Sequence, residues 1–419
     1  MRLGLHPAEG LVRASWRRQP PRGLARDGTE TGGKAMHMTG TGMVRTRVGL
    51  IAIALLLAGA AFGFMTASAP YAYGANNSRT ASGASRSARS IVAIRIPGCE
   101  PFVSNQPLDA IAMAPNGRTA YTACVTGPKG GVVTPINLAT NTVGPPIHIS
   151  ISTVHGNSWG IAITPNGRTV YVSAGPCIPV TLATRTVGAP IPVACPIVFT
   201  PNGRTGYGFG GAVTPINLVT NTLGTPIKLP KTCGGPLSGA VTPNSKTLWI
   251  DCSGLLEPIN VATNTLGTSI KLPMRQAYEP GDIAIAPNGR TAFVSLIYSW
   301  GDGITPVNLA TRTVGAPINF VHGHESWIYT PGPILFTPDG KTAYLDEVAA
   351  SVIQPINMAT KTPDMPTALP LDLDLVGVPN MVITPNGRTA LTAGYHVLLG
   401  PAHKLLSDFG AVFRVSLSG

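Results

Sequence analysis

"APNGRTAYTA", residues 114–123, is written six more times with small changes: "TPNGRTVYVS" (164–173), "TPNGRTGYGF" (200–209), "TPNSKTLWID" (242–251), "APNGRTAFVS" (286–295), "TPDGKTAYLD" (337–346) and "TPNGRTALTA" (384–393). The prolines, Pro115, Pro165, Pro201, Pro243, Pro287, Pro338 and Pro385, are 50, 36, 42, 44, 51 and 47 residues apart. A period in the forties with β-branched content indicates propeller blades of four strands each. The Asn-Gly step predicts a two-residue hairpin turn in which both residues take positive φ.

A second phrase interleaves with the first. It runs "TPINLATNTVGPPI" (134–147), "IPVTLATRTVGAPI" (178–191), "TPINLVTNTLGTPI" (214–227), "EPINVATNTLGTSI" (257–270) and "TPVNLATRTVGAPI" (305–318), with a looser copy at 354–367. Each blade then reads as a short apolar inner strand of the "IAIT" type, the hairpin, a second strand "RTVYVS", a third "VTPINLAT", and a fourth "VGAPIPV" after a Thr-x-Thr turn. Proline in the last two places them toward the outside, where a missing N–H is tolerated. The seventh blade supplies three strands, ending on "GAVFRVSLSG" (410–419). "RSIVAIRIPG" (89–98) has the character of the missing fourth. Its pairing with 411–417 would close the ring and remove the free edges. The fold expectation is all-β: a seven-bladed β-propeller of four-stranded blades over 90–419, with the strand at about 90–96 completing the C-terminal blade.

These two phrases resemble the YVTN-type β-propeller repeats of secreted or surface bacterial proteins, over about residues 90–419. The resemblance implies the fold and an exported setting, and it carries no catalytic motif. Some related propellers are metal-dependent lactonases or streptogramin-type lyases, and no residue pattern here matches their sites one by one.

Composition agrees. The 419 residues carry 11% charged side chains, 49 Gly and 40 Pro, a turn-rich β composition. The formal charge of +12 is uneven. Residues 1–95 hold 13 Lys+Arg against 3 Asp+Glu, and 96–419 hold 17 against 15. Seven of those 17 recur at one turn position: Arg118, Arg168, Arg204, Lys246, Arg290, Lys341 and Arg388. Solvated turn charges are the plainer reading, and no nucleic-acid partner is expected.

The apolar run "VGLIAIALLLAGAAFGF" (48–64) follows Arg45 and Arg47 and precedes small residues, a secretory signal pattern. Residues 1–47 read as its leader, and Met36, Met38 and Met43 are alternative starts. Residues 48–75 are the apolar region and cleavage zone, with a cut expected near Gly74 or Ala75. Residues 76–89 are a polar, disordered linker. The mature chain is expected to be a secreted or cell-surface monomer without a membrane span. An uncleaved anchor is the competing reading.

Six cysteines in an exported chain point to disulfides. The blade map pairs Cys99 with Cys124 and Cys233 with Cys252, each joining the start of a first strand to the end of the second. Cys177, placed at the end of strand two, and Cys195 are left to bridge blades two and three. Their spacing lacks the close cysteine pairs of a zinc site.

The loops entering strand one and those joining strands two and three share one end of the ring, opposite the Asn-Gly turns. Irregular polar and aromatic stretches collect there: "VHGNSW" with His155, Asn157 and Trp159; "YEPGD" with Tyr278, Glu279 and Asp282; "YSWGD" with Tyr298, Trp300 and Asp302; and "VHGHESW" with His322, His324, Glu325 and Trp327. Asp372, Asp374 and a long loop over 395–408 with His396 and His403 add to them. Variable loops on a rigid frame commonly carry function. His155, Trp159, Glu279, Asp282, Trp300, His322, His324, Glu325 and Trp327 are therefore the candidate binding residues. Asp109, Glu279 and Asp282 are candidates for holding a divalent cation at the axial mouth; the plainer reading has such carboxylates accepting loop N–H groups. No cofactor is called for otherwise. Two functions follow. The first is a non-catalytic scaffold that binds an envelope protein or glycan through the loop end. The second is a metal-dependent hydrolase or lyase with an axial site.

Overall fold

The computed structural model describes residues 90–99, 110–127, 130–150, 160–173, 176–231, 233, 238–273, 277–298, 301–320, 332–347, 352–369, 381–399 and 405–417. They form seven antiparallel sheets, one per blade, each built on a path of four strands. Blade 1 runs Ala110–Met113, Thr119–Gly127, Gly130–Asn137 and Thr142–Val143. Blade 4 repeats the plan with Gly239–Val241, Thr247–Cys252, Leu255–Asn260 and Thr265–Leu266. Blade 7 takes its outer strand from the other end of the chain. Ile91–Arg95 pairs antiparallel with Leu405–Ser416, in a register from Ile91 opposite Val415 to Arg95 opposite Ala411. The closure expected from the sequence is therefore present.

The buried apolar residues form seven clusters, and each is a seam between two blades. Blades 1 and 2 meet through Val133, Ile149, Val170 and Val172. Blades 7 and 1 meet through Ile94, Val412, Ile111 and Ile136. Blades 4 and 5 meet through Trp249, Leu256, Ile283 and Val294. A strand buried on both faces is thus apolar on both, which is why the second strands read as near-continuous hydrophobic runs. The inner strands are half-exposed at their ends near the turns, as at Ile163, Phe199, Val241, Phe336 and Ile383.

The repeated phrase folds differently from its sequence expectation. Only the glycine has positive φ (Gly117 at 65°, Gly167 at 69°), and Asn116 does not. The Gly117 N–H donates to the Ala114 carbonyl at 2.9 Å, so residues 114–117 form a type I turn with Pro115 at its second position. Proline fixes φ near the value that position needs, and the left-handed residue then falls to glycine. The Asn116 side chain accepts the Arg118 N–H at 2.8 Å.

That glycine has a second duty. A Cβ at Gly117 would lie 2.9 Å from the Pro385 ring of blade 7, and one at Gly387 would lie 3.0 Å from Pro338 of blade 6. In six of the seven blades the turn glycine packs on the turn proline of the blade before it. In blade 4 the glycine is replaced by Ser245, which keeps a φ of 58° and instead accepts the Asn202 N–H of blade 3 on its hydroxyl.

The second phrase also has a local cause for each letter. Asn137 Oδ1 accepts the N–H groups of Ala139 and Thr140, and the Thr140 and Thr142 hydroxyls meet at 2.7 Å. Asn141 between them takes φ 55°. This left-handed residue reaches back to the previous blade. Arg414 donates to Asn141, Tyr171 to Asn221, and Tyr207 to Asn264 at 3.1 Å. Arg185 donates to the Pro145 and Pro146 carbonyls of blade 1, and Arg312 to Thr268 of blade 4. The fourth strand is broken rather than continuous. In blades 1, 4, 5 and 6 two short pieces both pair with the third strand, interrupted where the intervening N–H bonds the proline carbonyl of strand three, as Gly144 does with Pro135.

Candidate functional site

The loop end is built from the strand ends opposite the turns. All three expected disulfides sit there: Cys99–Cys124, Cys177–Cys195 and Cys233–Cys252. Cys177 begins the third strand of blade 2 instead of ending the second. Cys195 lies in the inner strand of blade 3. Cys99 follows the closing strand of blade 7 and is joined to the second strand of blade 1, so this bridge locks the ring where the chain ends meet. Three disulfides fit an extracellular or otherwise oxidising compartment.

Of two stretches expected as loops, one is strand and the other is strand in its described residues. "YEPGD" lies within the inner strand of blade 5, Ala277–Ile285, and "YSWGD" falls across the hairpin of Thr291–Tyr298 and Gly301–Asn308. The inner strand carries register shifts on either side of Pro280. Such bulges let turn-like residues sit in a strand. The stretch 395–408 is likewise mostly a long hairpin of Thr389–Leu399 and Leu405–Ser416, with His396 opposite Phe409.

Of the candidate residues, Asp282 is the one whose side chain is described. Its Oδ2 accepts the Ile334 N–H, the first residue of the inner strand of blade 6, at 3.1 Å. Its own N–H donates to the Ser295 hydroxyl at 2.6 Å. Asp282 thus clasps two neighbouring inner strands at the loop end of the axis. The residue as a whole is only half-buried, yet the burial of its carboxyl group pushes its pKa up to about 6 against the bonds from Ile334 and Ile283. Glu279 lies on the same strand. His155, Trp159, Trp300, His322, His324, Glu325, Trp327 and Asp109 lie outside the described residues.

Two buried carboxylates were not singled out from the sequence. Asp251 is 3% exposed. It shares the side of blade 4 that carries Trp249 and its register partner Leu256, the side packed on blade 5. Burial raises its pKa to about 6, opposed by the Gly254 and Cys252 N–H groups. Its Oδ1 has no hydrogen-bond partner among the described residues. The available signal was a lone acid in an apolar strand, "LWIDC". Glu257 takes the place of the threonine in "TPIN". It is 4% exposed, raised by burial and held by the Ser269 side chain. Gln354, at the same position in blade 6, donates to the Asp364 carbonyl. Both tie the broken outer strand to the blade.

The arrangement places Asp282 between the inner strands of blades 5 and 6, Asp251 in the seam between blades 4 and 5, and Glu257 out toward the fourth strand of blade 4. Among the described residues no three His, Cys, Asp or Glu side chains gather as a metal site would require.

No protein-family model matches the sequence, and a search of curated proteins found no match. Among solved structures, hydrazine synthase from Kuenenia stuttgartiensis is similar with a TM-score of 0.57 at 16% identity, over 70% of this chain and 94% of that one. At that identity the likeness concerns the fold alone.

Proposed function

We propose that this chain is an exported, non-catalytic propeller of the YVTN-repeat type that binds a protein or glycan of the bacterial cell envelope through its loop end. The observation that carries this reading is the asymmetry between the two ends. The turn end repeats one phrase seven times with only single-residue changes such as Ser245 and Asp339, while the loop end holds the long irregular stretches together with the three disulfides. Aromatic side chains such as Trp159, Trp300 and Trp327 are the usual anchors of a binding surface. Asp282, the one described member of the cation set, already uses an oxygen on Ile334, which favours a structural over a ligating duty.

The test is binding of the purified exported protein to envelope fractions. Trp159→Ala, Trp300→Ala and Trp327→Ala together are expected to lower binding by at least about tenfold, the scale of a hot-spot loss. The competing reading, a metal-dependent hydrolase or lyase, takes over if elemental mass spectrometry finds about one tightly held divalent cation per chain and lactone or ester turnover disappears on chelation.

A further inference from the structure

The folded part is nearly neutral, but its charge is sorted along the ring axis. The seven hairpin cations all stand at the turn end and are all exposed. Arg185, Arg312 and Lys361 add three more at the second turn. Asp339 and Asp364 are the carboxylates that accompany these turns. Ten cations against two anions make this end strongly basic, while the net charge of 96–419 conceals it.

We propose that the turn end is a membrane-facing surface that docks on anionic phospholipid headgroups. Three features select this occupant. The cations form a ring rather than a stripe. The seven hairpin cations each follow the same proline-directed turn, Asn-Gly in five blades, Asn-Ser before Lys246 and Asp-Gly before Lys341, and neighbouring turns pack on one another through contacts such as Gly117 on Pro385 and Gly387 on Pro338. A ring of cations at one end of the blades matches an extended anionic surface. A nucleic-acid strand would call for a groove with interleaved aromatic side chains, and neither turn phrase carries an exposed aromatic residue because those of the second strand face the seams.

The second feature is an apolar tooth on the basic end. Val219 stands where the other second turns have Ala139, Ala183, Ala262, Ala310 and Ala359. It is 82% exposed, the most exposed large apolar side chain described. An apolar side chain among cations suits the headgroup boundary. The third is chain direction. Ser90 accepts the Ser416 N–H, and Leu417 donates to Arg388. Ser90 and Leu417, the first and last described residues of blade 7, therefore both lie at the turn end, and the chain enters the ring there directly after Arg89.

The experiment measures partitioning of the full chain onto vesicles of phosphatidylcholine alone and of phosphatidylcholine with phosphatidylglycerol. It compares the natural protein with a variant carrying Arg118→Gln, Arg168→Gln, Arg204→Gln, Arg290→Gln and Arg388→Gln. The leader is common to both, so their difference reports the ring. The turns are held by Asn, Gly and Pro, and an unchanged melting temperature confirms that the variant folds. The natural protein is expected to prefer the anionic vesicles, with a preference that falls as salt screens it. The variant is expected to lose at least about tenfold of that partitioning, given the strength of single Lys and Arg contacts to anionic membranes. Val219→Ala is expected to lower it by a further, salt-independent amount. Equal partitioning of natural and variant chains overturns the proposal. So does a variant that keeps vesicle binding and loses binding only to a soluble polyanion such as RNA. Neither outcome bears on the loop-end reading, whose variants leave these arginines in place.

Discussion

At the turn end, blade 1 meets blade 7 through Gly117 against Pro385 and through Arg414 on Asn141. At the loop end, the same two blades are joined by Cys99–Cys124. The first kind of contact is made of the repeat itself and recurs around the ring. The second is covalent, individual and confined to blades 7 and 1 to 4. Seams built from repeated local contacts add one another's stability, as in other repeat arrays. Strands that depart from the repeat to form a variable surface lose those contacts and need another fastening. The molecule therefore separates adhesion from variation by placing them at opposite ends of the same strands.

Breaking the covalent fastening should have the largest effect. Cys99→Ala with Cys124→Ala opens a loop spanning 25 residues of sequence separation, and the chain-entropy relation gives a loss of about 3 kcal/mol. Thermal melts should fall by several degrees, and reductant, which opens all three bridges, should produce at least as large a fall in the natural protein. A melt unchanged by both would mean that the turn end alone holds the closure.

Gly117→Ala tests the repeated fastening. It combines a left-handed backbone with a Cβ 2.9 Å from Pro385 and is expected to cost about 1–3 kcal/mol by denaturant unfolding. Gly98→Ala is the control, since it has a φ of +80° but nothing within 4 Å of the added carbon. The excess cost at Gly117 measures the seam contact itself.

The buried carboxylates give the comparison a pH dependence. Asp251 titrates near 6 when folded, against an ordinary 3.8. A raised folded value means that the folded state binds the proton more tightly. Stability from this group is greatest below pH 4, falls as pH rises toward 6 and is level above. Asp251→Asn should remove this slope and raise stability above pH 6 by about 1–3 kcal/mol. A slope that survives the substitution would assign it to Asp282 and Glu257, which are shifted in the same direction.

Tyr207→Phe should have the smallest effect. It removes the 3.1 Å bond to Asn264 and leaves the ring buried in its seam, for about 1 kcal/mol. Burial pushes the Tyr207 hydroxyl to about 12, so this bond persists through the alkaline range in which exposed tyrosines ionise.

The sequence was most legible where the chain repeats itself. The spacing of seven prolines implied seven blades, and the strand character of 89–98 implied the closure. Combining blade positions with six cysteines then singled out the three pairs. It was less legible where one residue serves two purposes. The Asn-Gly step looked like a two-residue hairpin because a proline-directed type I turn uses the same letters. Only the approach of Pro385 shows the second demand on Gly117. Pro280 and Gly281 looked like loop residues because a bulged strand borrows turn chemistry. Asp251 was passed over because a carboxylate in an apolar strand has no periodic signature. Of the candidate site, the structure places Asp282 in a structural clasp and Glu279 on a strand. The remaining candidates lie outside the described residues.

The partner of Ile91 is Val415, almost the whole domain further along the chain. During synthesis, the first strand must wait until the last has emerged. Pairings this distant in sequence are slow to form, and a waiting edge strand is open to wrong partners. Cys124, in contrast, is available soon after Cys99. Forming that bridge early would park the waiting strand beside blade 1, at its destination, before blade 7 exists. The disulfide that fastens the finished ring would then also serve, during assembly, as a bookmark for the strand that completes it.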